Sequence, residues 1–123
     1  MIDFYGGPGA FAAMPPRVRS YAVETTAVNI LDWADAYSFR VTPALLGEIE
    51  LPTLVLWGGA SHPAVGRANE LLARHIADAS AVTVAGAAHF MIATHAQETA
   101  RAVAQHIARA RQQLRSTALR RAG

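Results

Sequence analysis

His89 stands in the stretch "AVTVAGAAHFMIATHAQETARAVAQHIARA", directly after a short apolar run and before a long helical pattern. The ordinary pKa of a histidine ring lies near neutrality, which suits it to taking and returning a proton in a loop of this kind. The other histidines are His62, His75, His95 and His106. They fall at no metal-ligand spacing, and no metal site is expected. His75 and His106 read as helix-surface residues, and His95 as a residue near the start of the last helix. The chain has no cysteine, which removes disulfides, thiolate zinc sites and thiol nucleophiles. Ser61 lies between an apolar run and a helical pattern, in "GGASHP", beside His62. As a nucleophile it is poorly set, because Pro63 replaces the small residue that lets a strand and helix pack closely about a reactive serine.

These residues have to be positioned by what surrounds them. "LPTLVLWGG" holds a continuous apolar run, Leu54 to Trp57, opened by a proline and stopped by two glycines. A strand covered on both faces reads this way. "SHPAVGRANELLARHIADA" follows as a helix with Val65, Ala68, Leu72 and Ile76 on one stripe. "SAVTVAG" is a second short strand. The last helix carries Ala96, Ala100, Val103, Ile107, Ala110 and Leu114 as its apolar stripe. Ahead of these lies turn chemistry in "GGPGAF", then a helix opened by Pro15-Pro16, with Val23, Ala27, Ile30, Leu31 and Ala34 at helical spacing. "SFRVTPALLGEIE" is a loop with Thr42-Pro43 capping a short helical turn. "GGPGAF" lacks the preceding strand and the lysine of a phosphate cradle.

The fold class is therefore α/β: a helical segment followed by a βαβα unit whose two parallel strands are joined by a right-handed crossover. The divisions are residues 1–50, helical, residues 51–115, a strand-bearing core, and residues 116–123, a flexible basic tail. In an open parallel sheet, ligands bind where strand carboxyl ends meet their loops. The loops "GGASHP" and "GAAHFM" should open on one edge, with His89 in reach of the first. Two parallel strands make too small a sheet to stand alone, so a neighbour is expected beside the Leu54–Trp57 strand.

This order resembles the C-terminal half of the α/β-hydrolase superfamily. Pro52 to Gly58, Leu71-Leu72 with Ile76, and Gly86-Ala87-Ala88-His89 fall where that pattern has its penultimate strand, the following helix and the catalytic histidine. "IDFYGGPGAFAAMPPRVRS" is similar to its cap sequence, and the resemblance covers roughly residues 1 to 110. Ala88 stands where the family often has glycine. The resemblance implies a partial α/β-hydrolase fold, with His89 as the triad base in the hydrolysis of an ester or related small apolar substrate. The triad order is nucleophile, acid, histidine, so the serine belongs upstream on a G-x-S-x-G elbow, and these residues contain no such motif. The chain is thus expected to begin at about the cap and to be inactive alone. Ser61 occupies the position where the family carries its acid, and the acid itself is absent. Trp33 and Phe90, with Tyr5 and Phe11, are expected to line a substrate pocket beneath the cap. No cofactor is implied.

Composition closes off other classes. The chain is 52% hydrophobic and 16% charged, as globular proteins are, and no apolar stretch reaches the length of a membrane span, about 20 residues. The N-terminus shows no secretory pattern, and a cytoplasmic protein is expected. All eleven basic residues are arginine. After Glu98 come Arg101, Arg109, Arg111, Arg115, Arg120 and Arg121, with no acid among them. No aromatics interleave with them, so a solvated helix face is expected in place of a nucleic-acid surface. The expected partners are the small apolar substrate of the complete enzyme and either the missing N-terminal half or a second copy. A non-catalytic module that completes its sheet by pairing with another chain is the alternative reading.

Overall fold

A computed structural model of the chain describes residues 1–122. The architecture is mixed α/β and mostly helical, with two parallel strands in one sheet. Strand β1 (Thr53–Gly58) pairs with β2 (Ala79–Val84), Thr53 lying opposite Ala79 and Gly58 opposite Val84. Both strands fall where the apolar runs predict them. Five helices precede the sheet: α1 (Ile2–Gly6), α2 (Ala10–Ala13), α3 (Pro16–Glu24), α4 (Thr26–Ser38) and α5 (Pro43–Gly47). Helix α6 (Pro63–His75) joins the strands, and α7 (Met91–Thr94) and α8 (Ala96–Ala122) follow β2.

Local chemistry explains most boundaries. Pro16, Pro43 and Pro63 each open a helix in its first turn, where a missing N–H costs nothing. The Thr42 side chain caps α5 by accepting the Leu45 N–H at 3.2 Å. The helix expected from Pro16 to Asp35 is broken at Thr25. There the Thr25 and Thr26 hydroxyls donate back to the Tyr21 and Ala22 carbonyls at 2.8 and 2.9 Å. Such back-bonding competes with the helical ladder. The turn expected in "GGPGAF" lies between two short helices, α1 and α2, which are joined through Gly7 and Gly9 at φ 95° and 81°. Helix α8 runs past Arg115, so residues 116–122, read from the sequence as a tail, continue it; Gly123 lies outside the described residues.

The core is small. Val55, Ile76, Val84 and Ala87 are the buried apolar residues among those described, and no large side chain is fully enclosed. Helix α6 packs across both strands, with Gly66 facing the Trp57 indole. Two apolar stripes have no cover. Val23, Ile30 and Leu31 on α3 and α4 are 62%, 58% and 70% exposed. On α8 the buried residue is Thr99, with Ala102, His106, Arg109 and Ala110 half-buried, while Val103, Ile107 and Leu114 of the expected inner stripe are exposed. His106 is accordingly no surface residue: its Nδ1 is buried and has no hydrogen-bond partner among the described residues.

The sheet also has a free edge. Thr53 N–H donates to the Asp78 carbonyl and Gly59 N–H to that of Val84, both at 2.8 Å. Alternation along a parallel ladder then turns the N–H and C=O groups of Leu54 and Leu56 away from β2. With β1–β2 as the whole sheet, no strand meets them among the described residues.

Candidate functional site

The loops after β1 and β2 meet at the carboxyl end of the sheet. Ala60 N–H donates to the Ala87 carbonyl at 2.7 Å, and Gly58 is buried against the same turn. A Cβ at Gly58 would run into the Ala87 carbonyl oxygen and lie 2.6 Å from that of Ala88, so only glycine lets the two loops approach this closely. Gly86 takes φ 73°, turning the chain so that Ala87 is buried and His89 emerges exposed at the rim.

The N-terminal segment fixes His89 in place. Its backbone N–H donates to the Tyr5 carbonyl at 3.1 Å, and the two rings lie 4.9 Å apart. Tyr5 stacks on Trp33 at 5.5 Å, and Trp33 on Tyr37 at 5.4 Å. Phe90 meets His89 edge-on at 5.4 Å, and the absence of a Cβ on Gly6 lets the Phe90 ring close on α1. Trp33 and Phe90 are thus both brought to His89, Phe90 directly and Trp33 through Tyr5. Phe11 lies elsewhere, in a groove with Val23 and Ile30. The Tyr5 phenol is raised above its ordinary pKa, first by burial and then by the neighbouring Tyr37 phenol.

Ser61 is half-buried behind the first loop. Its N–H donates to the Gly58 carbonyl at 3.1 Å, and its Oγ is buried with no hydrogen-bond partner among the described residues. The hydroxyl is therefore not bonded to any histidine that could activate it. His62 serves its own helix, since its Nδ1 accepts the Ala64 N–H at 3.2 Å as the cap of α6, and its ring stacks on Phe4 at 4.3 Å. His95 Nδ1 lies 2.9 Å from Thr94 Oγ1. No group of three His, Asp or Glu side chains suited to a metal ion occurs among the described residues. No described helix is long and apolar enough to cross a membrane.

Sequence reasoning finds His89, Trp33 and Phe90, and mentions Tyr5 only as one aromatic among several. The structure makes Tyr5 the hinge of the cluster. Its signal is the aromatic pair Phe4-Tyr5 before Gly6-Gly7, a ring-bearing turn whose contacts lie far along the chain. The arrangement can place a proton-transferring imidazole beside an aromatic wall, at the ligand-binding end of a parallel sheet. Comparison with protein-family models, with curated proteins and with solved structures gives no match.

Proposed function

We propose that the chain is the histidine-bearing C-terminal part of a cap-carrying α/β-hydrolase-type enzyme, acting on an ester or a related small apolar substrate. The observation that carries this reading is the pairing of an anchored His89 with an open edge on β1. His89 stands at the carboxyl end of the strands with its main chain tied to Tyr5, while Leu54 and Leu56 offer their backbone groups to a further strand. Further strands on that edge would bring a nucleophile elbow toward the same end of the sheet.

In this reading a serine oxygen attacks the ester carbonyl carbon while His89 takes the serine proton. The proton then passes to the departing alkoxide, and water repeats the sequence to free the acid. Trp33 and Phe90 belong to the wall that holds the apolar part of the substrate. Ser61 supplies no carboxylate, so the acid that orients His89 comes from an earlier strand. Cytoplasmic placement belongs to the same proposal. The test is to read the coding sequence upstream of the Met1 codon. An in-frame strand, G-x-S-x-G and helix supports the proposal; a stop codon and ribosome-binding site directly before Met1 overturn it.

A second reading is favoured by the small core and the exposed stripe on α8. The chain would then be a non-catalytic module that completes its sheet with a second copy or a separate chain. Sedimentation at several concentrations tests the second copy. A monomer stable at micromolar dilution counts against the second copy.

A further inference from the structure

We propose that the chain associates with a second copy of itself by laying the exposed stripe of α4 antiparallel on the exposed stripe of α8. On α4 the stripe is Ala27, Ile30, Leu31 and Ala34, with Ile30 58% and Leu31 70% exposed. On α8 it is Val103, Ile107 and Leu114, 39%, 44% and 55% exposed, beside the half-buried Ala110. Spacings of three and four residues are those of helical seams that pack knobs into holes. Both stripes are bare within one chain, so the pairing joins two copies.

Charge selects this pairing. Helix α4 carries Asp32 and Asp35 and no basic residue. Helix α8 has one acid, Glu98 in its first turn, and arginines from Arg101 onward. Asp35 directly follows Ala34, while Arg111 and Arg115 directly follow Ala110 and Leu114. One residue is a rotation of about 100°, so all three project from the same flank of their stripe. Like flanks meet when two helices pack antiparallel, which sets Asp35 of one copy beside Arg111 and Arg115 of the other. All three are exposed, and neither ion pair among the described residues uses them. Two copies of α8 face to face would instead oppose arginine to arginine, and two of α4 acid to acid. Neighbouring charges lie off these flanks. Met1, with its ammonium, and Asp3 line the groove on the Thr26 and Asn29 side of α4. Arg40 lies past the end of α4, and Arg17, Arg19 and Glu24 belong to α3. Arg109 and Arg120 line a concavity with Glu50 and Asp78, Arg109 lying 3.8 Å from the Asp78 carboxylate.

The contact is separate from the open edge of β1 and rests on neither functional reading. It is tested by amide shifts of the ¹⁵N-labelled chain and of two variants, Leu31→Glu and Ile107→Glu, each of which sets a charge in one stripe. Concentrating the parent should move Ala27, Leu31 and Ala34 together with Val103, Ile107 and Leu114. Each variant alone should lose these shifts, because every α4·α8 pair in the sample then buries a carboxylate among apolar side chains. Mixing labelled Leu31→Glu with unlabelled Ile107→Glu restores one sound pair, so the shifts should return on the labelled α8 and stay absent from its α4. Exchanging the label should move them to α4. Asp35→Arg, at a solvated position, should weaken the parent's association about tenfold by turning an attraction into a repulsion. Shifts at Leu54 and Leu56 with none on α4 and α8 would leave the sheet edge as the sole contact and overturn the proposal. A mixture that restores nothing, unchanged affinity in Asp35→Arg, or still α4 and α8 amides at millimolar chain would overturn it too.

Discussion

The main-chain N–H of His89 is bonded to the carbonyl of Tyr5, and the Tyr5 ring packs between the His89 imidazole and the Trp33 indole. A residue near the start of the chain therefore sets the position of one that follows the last strand. Truncating Tyr5 to alanine removes these two ring contacts and a third, with Phe4 at 4.9 Å, while sparing the backbone bond. With aromatic pairs worth about 0.5–1.5 kcal/mol each, Tyr5→Ala should lower stability by about 1.5–4.5 kcal/mol in urea unfolding. Tyr5→Phe keeps the stack and loses only the phenol oxygen, and should cost no more than about 1 kcal/mol. Equal losses for the two variants would show that the stack contributes nothing.

The Tyr5 phenol gives a pH dependence of known sign. Its folded pKa is raised, so the folded state holds this proton more tightly than the unfolded chain does. The resulting stability is fully present below about pH 10, the ordinary phenol value, and is lost as the pH rises through the folded pKa. Ultraviolet titration of the tyrosinates in the native chain should show one late-ionising tyrosine that is missing in Tyr5→Phe. If Tyr5→Phe removes an early or ordinary component instead, the packing described for Tyr5 is wrong.

Gly58 tests the junction of the two loops. A methyl group there meets carbonyl oxygens of the main chain, which cannot swing aside as a side chain can. Gly58→Ala should destabilise the chain by about 1–3 kcal/mol or more, as overpacking does. Gly47, with nothing near its missing Cβ, serves as the control, and Gly47→Ala should stay within about 0.5 kcal/mol of the parent. Similar melting temperatures for the two variants would mean that the loops do not close on each other.

The sequence marks an element well when it punctuates it. β1 is bracketed by Pro52 and Gly58-Gly59, α5 by Thr42-Pro43, and α6 begins at Pro63, and all are legible. The break at Thr25 has no proline or glycine, and it depends on hydroxyls bonding back to carbonyls, so periodicity passes over it. Helices α1, α2 and α7 have four or five residues each, too few to show a period. The stripe of Val103, Ile107 and Leu114 follows from its spacing, but spacing identifies a face in need of cover without identifying what covers it. The packed face of α8 holds Thr99, His106 and Arg109, which tertiary contacts select and local pattern does not. His89 is legible from the strand and glycine before it. Its anchor, Tyr5, is not, because that contact joins distant parts of the chain.

The open edge of β1 predicts self-association. Leu54 and Leu56 present unpaired backbone groups, and edges of this kind recruit strands. Sedimentation velocity should show the average mass rising with concentration. Leu54→Pro removes an outward N–H and spares the ladder to β2, because the Leu54 backbone faces away from that strand. It should weaken association by about tenfold, the equivalent of about 1.4 kcal/mol. Association that survives Leu54→Pro and is lost in Ile107→Glu would place the contact on α8 instead.

Catalytic silence is the last expectation, and it separates the chain from an enzyme complete in itself. An imidazole accelerates acyl transfer in a triad only when a serine hydroxyl lies within its reach and donors await the oxyanion. The Ser61 hydroxyl is sealed from solvent and has no hydrogen-bond partner among the described residues, so it offers neither an exposed nucleophile nor a bond to His89. Hydrolysis of 4-nitrophenyl acetate by the isolated chain should therefore stay within about twofold of an equal concentration of free imidazole, and His89→Ala should lower it only to the level of the remaining histidines. A fluorophosphonate should leave Ser61 unlabelled in the mass spectrum. Saturable turnover lost in both His89→Ala and Ser61→Ala would mean that the loop after β1 opens to present Ser61. The nucleophile would then be in this chain, and no strands outside it would be needed to explain His89.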